Sequence, residues 1–182
     1  MKQLLRLTLT LFLICAVTAA ALAGVNSITK DRIAAIQEEK NQAAMRQVLP
    51  EGQNLQPVEF TDDSGMVQAV YAPDGERSAQ QYAIKVTPNG FGGQMVLMVG
   101  VSHQQVTGIS VVSHAETPSL GATAAAKSSK GEAFRQQFNG MSGELAVNKD
   151  GGEIDAITSA TITSRAVTAG VNAALRCAEN LG

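Results

Sequence analysis

Residues 7–25 read LTLTLFLICAVTAAALAGV, nineteen positions without a charge, flanked by Lys2 and Arg6 on one side and Lys30 on the other. At about 1.5 Å per residue such a helix is roughly 28 Å long, close to the hydrocarbon thickness of a bilayer. Beyond it the pattern turns polar but stays helical. Ile33 and Ile36 lie three apart among Lys30, Asp31, Arg32 and Glu38-Glu39-Lys40, so residues 26–48 predict a stalk helix. Leu49-Pro50 ends it, because a proline steers the residue before it out of helical geometry, and a loop with Glu51-Gly52 follows. Four short, mostly Val-rich runs, 67–72, 82–86, 94–101 and 106–113, are bounded by Gly, Pro, Asn or Asp and predict strands. Pro88-Asn89-Gly90 joins the second to the third, and "HQQVTG" turns the third into the fourth. Residues 123–138 read as a helix with Phe134 and Phe138 one turn apart. The clearest helix is 163–178, where Val167, Val171, Ala174, Leu175 and Ala178 share a face, although Gly170 inside it costs about 1 kcal/mol. Without repeats or a low-complexity linker, the pattern predicts an α+β fold. Residues 1–25 form a tip and transmembrane anchor, 26–50 a stalk, and 51–182 one domain with a small antiparallel sheet and packed helices.

Ala21-Leu22-Ala23 fits a signal-peptide cleavage site, but the apolar run exceeds the usual signal core, which favours an uncleaved anchor in contact with lipid. Lys2 and Arg6 precede the run, so the positive-inside tendency puts the N-terminus in the cytoplasm and the remainder outside the inner membrane. The part beyond the anchor has 12 basic and 16 acidic residues, which gives no reason to expect nucleic acid as a partner. With no Trp, two Tyr and five Phe the core must be aliphatic and small. Cys15 lies in the apolar run and Cys177 beyond it, so a disulfide between them is not expected and the fold rests on its core.

Two stretches carry candidate chemistry. Thr158-Ser159-Ala160-Thr161-Ile162-Thr163-Ser164 holds five hydroxyls in seven residues ahead of a helix. One hydroxyl suffices for a helix cap. The first turn also presents free N–H groups and the positive end of a dipole, which suit a phosphate, either held noncovalently or esterified to a hydroxyl. The second stretch is "SHAETPSLGA", residues 113–122, with His114 leading into a turn marked by Pro118 and Gly121. No spacing of His, Cys and carboxylates supports a metal site, and no Ser-His-Asp arrangement can be argued. The glycines of Gly90-Phe91-Gly92-Gly93 precede a strand, so they are not a dinucleotide fingerprint.

"DAITSAT" resembles the flavinylation motif of FMN-binding domains: an Asp, two variable positions, a Ser or Thr, a small residue, Ala and Thr. "SHAETPSLGA" and "NGFGGQMVLMVGV" resemble two further signatures of that family. The anchor followed by "VNSITKDRI" is similar to the start of one branch, the G subunit of Rnf electron-transport complexes. The likeness runs over nearly the whole chain.

This resemblance implies that a flavin transferase splits FAD and joins FMN through its phosphate to Thr161. Asp155, Thr158, Ser159 and Ala160 would belong to the recognition motif, and His114, Glu116, Thr117, Leu120 and Gly121 to a loop near the isoalloxazine. Ser119 and Ser159 depart from the pattern, each standing where the family commonly has glycine. The chain then reads as a membrane-anchored electron-transfer subunit that works with other membrane and redox subunits to couple ferredoxin:NAD oxidoreduction to ion translocation. The flavin carries the chemistry and no side chain acts as acid or base. Two alternatives stand beside this reading. The flavin subunit of a sodium-pumping NADH:quinone oxidoreductase resembles this chain but has extra sequence, and a tethered binding domain without flavin would be colourless.

Overall fold

The computed structural model describes residues 2–49, 54–75 and 80–181. The expected stop at Pro50 and the Glu51-Gly52 loop lie outside these residues. Helix α1, Lys2–Val48, continues from the apolar run into the polar stalk without a break, and within it lies a segment long and apolar enough to cross a membrane. The chain divides into two compact units, Met1–Lys40 and Asn41–Gly182. The large side chains of the first, from Leu5 to Ile36, are exposed.

The second unit is built on an antiparallel meander of five strands in sequential order: β1 Leu55–Val58, β2 Val67–Pro73, β3 Gln81–Val86, β4 Val96–Ser102 and β5 Gln105–Ser113. Side chains alternate across a strand, so one strand can serve two cores. On β4, Leu97, Val99 and Val101 enter the main core with Ile84 and Val86 of β3, while Met98 and Ala83 face the other way. That second face is covered by Ala44, Met45, Val48 and Leu49 at the end of α1. The backbone of Val48 comes so close that a Cβ on Gly100 would overlap its carbonyl, which instead accepts the Thr107 hydroxyl at 2.6 Å. Burial on both sides explains why the third predicted strand reads as a continuous apolar run rather than an alternation.

Helix α3, Thr161–Leu181, lies on the main-core face with Val167, Val171, Ala174, Leu175 and Ala178 all buried, as its periodicity predicts. Cys177 packs beside them; burial, with Asp62 nearby, pushes its thiol up to about 11, so it stays a neutral packing group. Two differences from the sequence reading have local causes. The expected 123–138 helix is a short 3-10 turn, Gly121–Ala124, and a separate α2, Ser129–Gln136. The Ser128 hydroxyl accepts the Gly131 N–H and starts α2 afresh. Phe138 falls beyond α2 yet still meets Phe134 edge-on, with ring centroids 5.6 Å apart. Strand β1 was not expected: with Pro57 and two exposed residues in four, it is an edge strand with little hydrophobic signal.

Candidate functional site

The hydroxyl-rich run folds into a turn and the first turn of α3, and its five hydroxyls separate into distinct jobs. Ala160 N–H bonds to the Ile157 carbonyl, closing a turn in which Ser159 adopts φ +61°. Ser164 is fully buried; its hydroxyl accepts the Ile157 N–H and donates to the Ala160 carbonyl, both at 3.0 Å, and so locks that turn to the helix. Thr163 is 1% exposed and donates to Glu116 Oε2 at 2.6 Å. Thr158 and Ser159 are exposed, and Thr161, the first residue of α3, is half-buried. The first N–H groups of the helix, from Thr161 on, precede any intrahelical acceptor and leave a positive end at that hydroxyl.

Upstream, Asp155 is held by its backbone. The Gln137 amide accepts its N–H at 2.7 Å and donates to its carbonyl at 3.3 Å, while Asn148 Nδ2 donates to Asp155 Oδ1 at 2.9 Å. The Asp155 side chain is exposed.

The second stretch closes the site from the other side. Leu120 N–H bonds to the Thr117 carbonyl across Pro118 and Ser119, and Ser119 has φ +64°. Glu116 points inward and is 6% exposed, so it is not a solvated turn residue. Its Oε1 accepts the Gly92 N–H at 3.0 Å and its Oε2 the Thr163 hydroxyl. Space for the carboxylate exists because Gly90 and Gly121 lack side chains; a Cβ on either would overlap it.

Around this carboxylate opens a pocket of about 360 Å³. Glu116, Thr117, Leu120, Gly121, Ser159, Ala160 and Thr161 line it, joined by Phe91, Ile162 and Thr163. Asp155 and Thr158 line a neighbouring pocket of about 720 Å³ instead, with Ser159 and Leu120 forming the wall between the two. His114 lines neither; it is exposed and its Nδ1 accepts the Glu116 N–H at 3.2 Å. Beyond α1, the large hydrophobic side chains exposed among the described residues are Phe91, Leu120 and Ile162, and all three rim the smaller pocket. Phe91 and Ile162 are site residues that sequence reasoning missed. "NGFGG" marked Phe91 only as part of a motif, and Ile162 stands between hydroxyls whose chemistry is the more obvious.

An apolar rim beside hydroxyls and a helix N-terminus suits a planar, partly apolar group that carries a phosphate. FMN fits that description, and Gly121 keeps the lining free of a side chain beside Glu116. The two left-handed serines are a cost of the site. A non-glycine residue in that region costs roughly 1–2 kcal/mol, part of which glycine returns as chain entropy. Ser119→Gly and Ser159→Gly should therefore each stabilise the chain by about 0.5–1 kcal/mol in a denaturant titration. Unchanged or lower midpoints would contradict the strain.

Comparison with known proteins agrees with this geometry. Residues 90–176 match the FMN-binding domain, a span that contains the whole lining of the smaller pocket, and residues 1–48 match the RnfG N-terminal region. The chain is 35% identical to the G subunit of the Na(+)-translocating ferredoxin:NAD(+) oxidoreductase complex of Acetobacterium woodii, with 99% of this chain and 94% of that protein covered. It is 31% identical to the G subunit of the ion-translocating oxidoreductase complex of Methanosarcina acetivorans, covering 96% and 94%. To the corresponding protein of Aliivibrio fischeri it is 34% identical, covering 93% and 86%. With matches of this length at both ends and throughout, the chain belongs to the family of G subunits of ion-translocating oxidoreductase complexes and carries that family's FMN-binding domain.

Proposed function

We propose that this subunit carries FMN bound covalently through its phosphate to Thr161, and that it passes electrons within a membrane complex that couples ferredoxin:NAD oxidoreduction to ion translocation. The observation that carries the proposal is the position of Thr161: the half-buried first residue of α3, lining the pocket rimmed by Phe91, Leu120 and Ile162. Thr163 and Ser164 are buried and already hydrogen-bonded, so an enzyme acting from outside cannot reach them. Thr161 is an ordinary alcohol and needs a flavin transferase to react. Its Oγ1 bonds to the FMN phosphorus of FAD, the pyrophosphate linkage breaks, AMP leaves, and the hydroxyl proton passes to a base of the transferase. The remaining negative charge lies at the N-terminus of α3, where the dipole favours it.

Bound FMN supplies the redox chemistry. The chain holds its phosphate end at Thr161, offers apolar side chains to its ring system and tethers the whole to the membrane. Asp155 and Thr158, on the far side of Ser159, are left for recognition by the transferase. Attachment suits a domain outside the membrane, where a dissociated cofactor would dilute away. In this topology Lys2 and Arg6 face the cytoplasm, α1 crosses the lipid of the inner membrane, and the FMN-binding domain lies on the opposite face. A reporter fused after Gly182 should be active only on the extracytoplasmic side. Cytoplasmic activity would remove both the topology and this reason for a covalent tether.

A further inference from the structure

Three segments meet at the smaller pocket: the hairpin turn at residues 89–94, the loop at 114–121 and the first turn of α3. Each contributes one exposed apolar side chain to the rim: Phe91, Leu120 and Ile162, at 68%, 40% and 52% exposure. One buried carboxylate joins all three. Glu116 belongs to the middle segment, takes the Gly92 N–H from the hairpin at 3.0 Å, and takes the Thr163 hydroxyl from the helix at 2.6 Å. The two donors are respectively one residue from Phe91 and one residue from Ile162, so the separation of those walls follows from the two bonds.

We infer that Glu116 and Thr163 are positioning residues that fix the spacing of Phe91, Leu120 and Ile162 around the ring system of the bound flavin. This rests on the reading that FMN occupies the pocket. Glu116 acts through its two hydrogen bonds, and Thr163 acts through Glu116. With Thr163→Val the shape is kept but Oε2 loses its donor, and a buried carboxylate oxygen without a partner drives local rearrangement. With Thr163→Ser the donor remains. Glu116→Gln also preserves the bridge, since the amide oxygen can accept from Gly92 while the amide N–H donates to the Thr163 oxygen.

The test uses the full-length chain matured in cells that contain a flavin transferase, and follows intact mass, fluorescence anisotropy of the attached flavin and its induced visible circular dichroism. The native chain, Thr163→Ser and Glu116→Gln should show attached flavin, high anisotropy and a clear visible dichroism band. Thr163→Val should carry the same added mass, with the band lost and the anisotropy lowered toward that of a flavin tethered at one end. Phe91→Ala guards against a folding defect, because this exposed side chain can be removed without opening the core; it should lower both signals in the same direction. Native-like signals in Thr163→Val, or in Phe91→Ala, would overturn the inference while leaving covalent attachment standing. A native chain without added flavin mass would sink the underlying reading and this inference with it.

Discussion

Thr161→Val is expected to abolish covalent flavin completely and leave the fold in place. Valine keeps the β-branched outline and removes one oxygen. The site is the half-buried first residue of α3, so the change in stability should stay within about 1 kcal/mol. The loss should not be rescued by a neighbour. Thr163 and Ser164 are enclosed, and Ser159 and Thr158 belong to the turn before the helix rather than to its first turn. In-gel flavin fluorescence after denaturation gives the result directly. A fluorescent Val variant would mean that another hydroxyl, or no hydroxyl, holds the cofactor.

The second large effect is expected at Gly121. A methyl group there overlaps Glu116 Oε2 and crowds the Thr163 hydroxyl. A flexible side-chain end usually yields, but this carboxylate is buried and hydrogen-bonded on both oxygens, so moving it breaks those bonds. Overpacking and an unpaired buried acceptor together should cost about 3 kcal/mol, a fall in Tm of roughly 10 °C. The cause can be separated from a general intolerance of the turn. In a Glu116→Ala background the carboxylate is gone and only the Thr163 hydroxyl, released from its acceptor, has to yield, so Gly121→Ala should cost clearly less than it does in the native chain. An equal cost in both backgrounds would show that Glu116 is not what excludes the methyl group.

Much of this fold was legible in the sequence because its signals are local. The four Val-rich runs became β2 to β5, and the apolar face of α3 is buried residue for residue. The cluster of hydroxyls did mark a helix start. What could not be read depends on contacts between distant segments. Glu116 sits in a stretch with turn chemistry, and only its approach to Thr163, 47 residues on, makes it a buried tie. Phe91 becomes a site residue because the hairpin turn folds back over the loop before α2, which no periodicity announces. His114 shared a motif with the pocket residues but is exposed and lines no part of the pocket, its ring only accepting the Glu116 N–H, since membership of a motif does not set where a side chain ends up. The serines at 119 and 159 were visible as departures from a family pattern. Their left-handed backbone is one that glycine adopts without strain.

A phosphoester between FMN and Thr161 underlies every role proposed for this chain. Its most direct measurement is the mass of the purified, denatured full-length protein, followed by fragmentation of the peptide that contains residues 155–164. A species heavier by FMN less one water is expected, with the added mass confined to Thr161. An unmodified mass after maturation with a flavin transferase, or an adduct placed on Thr158 or Ser159, would contradict it.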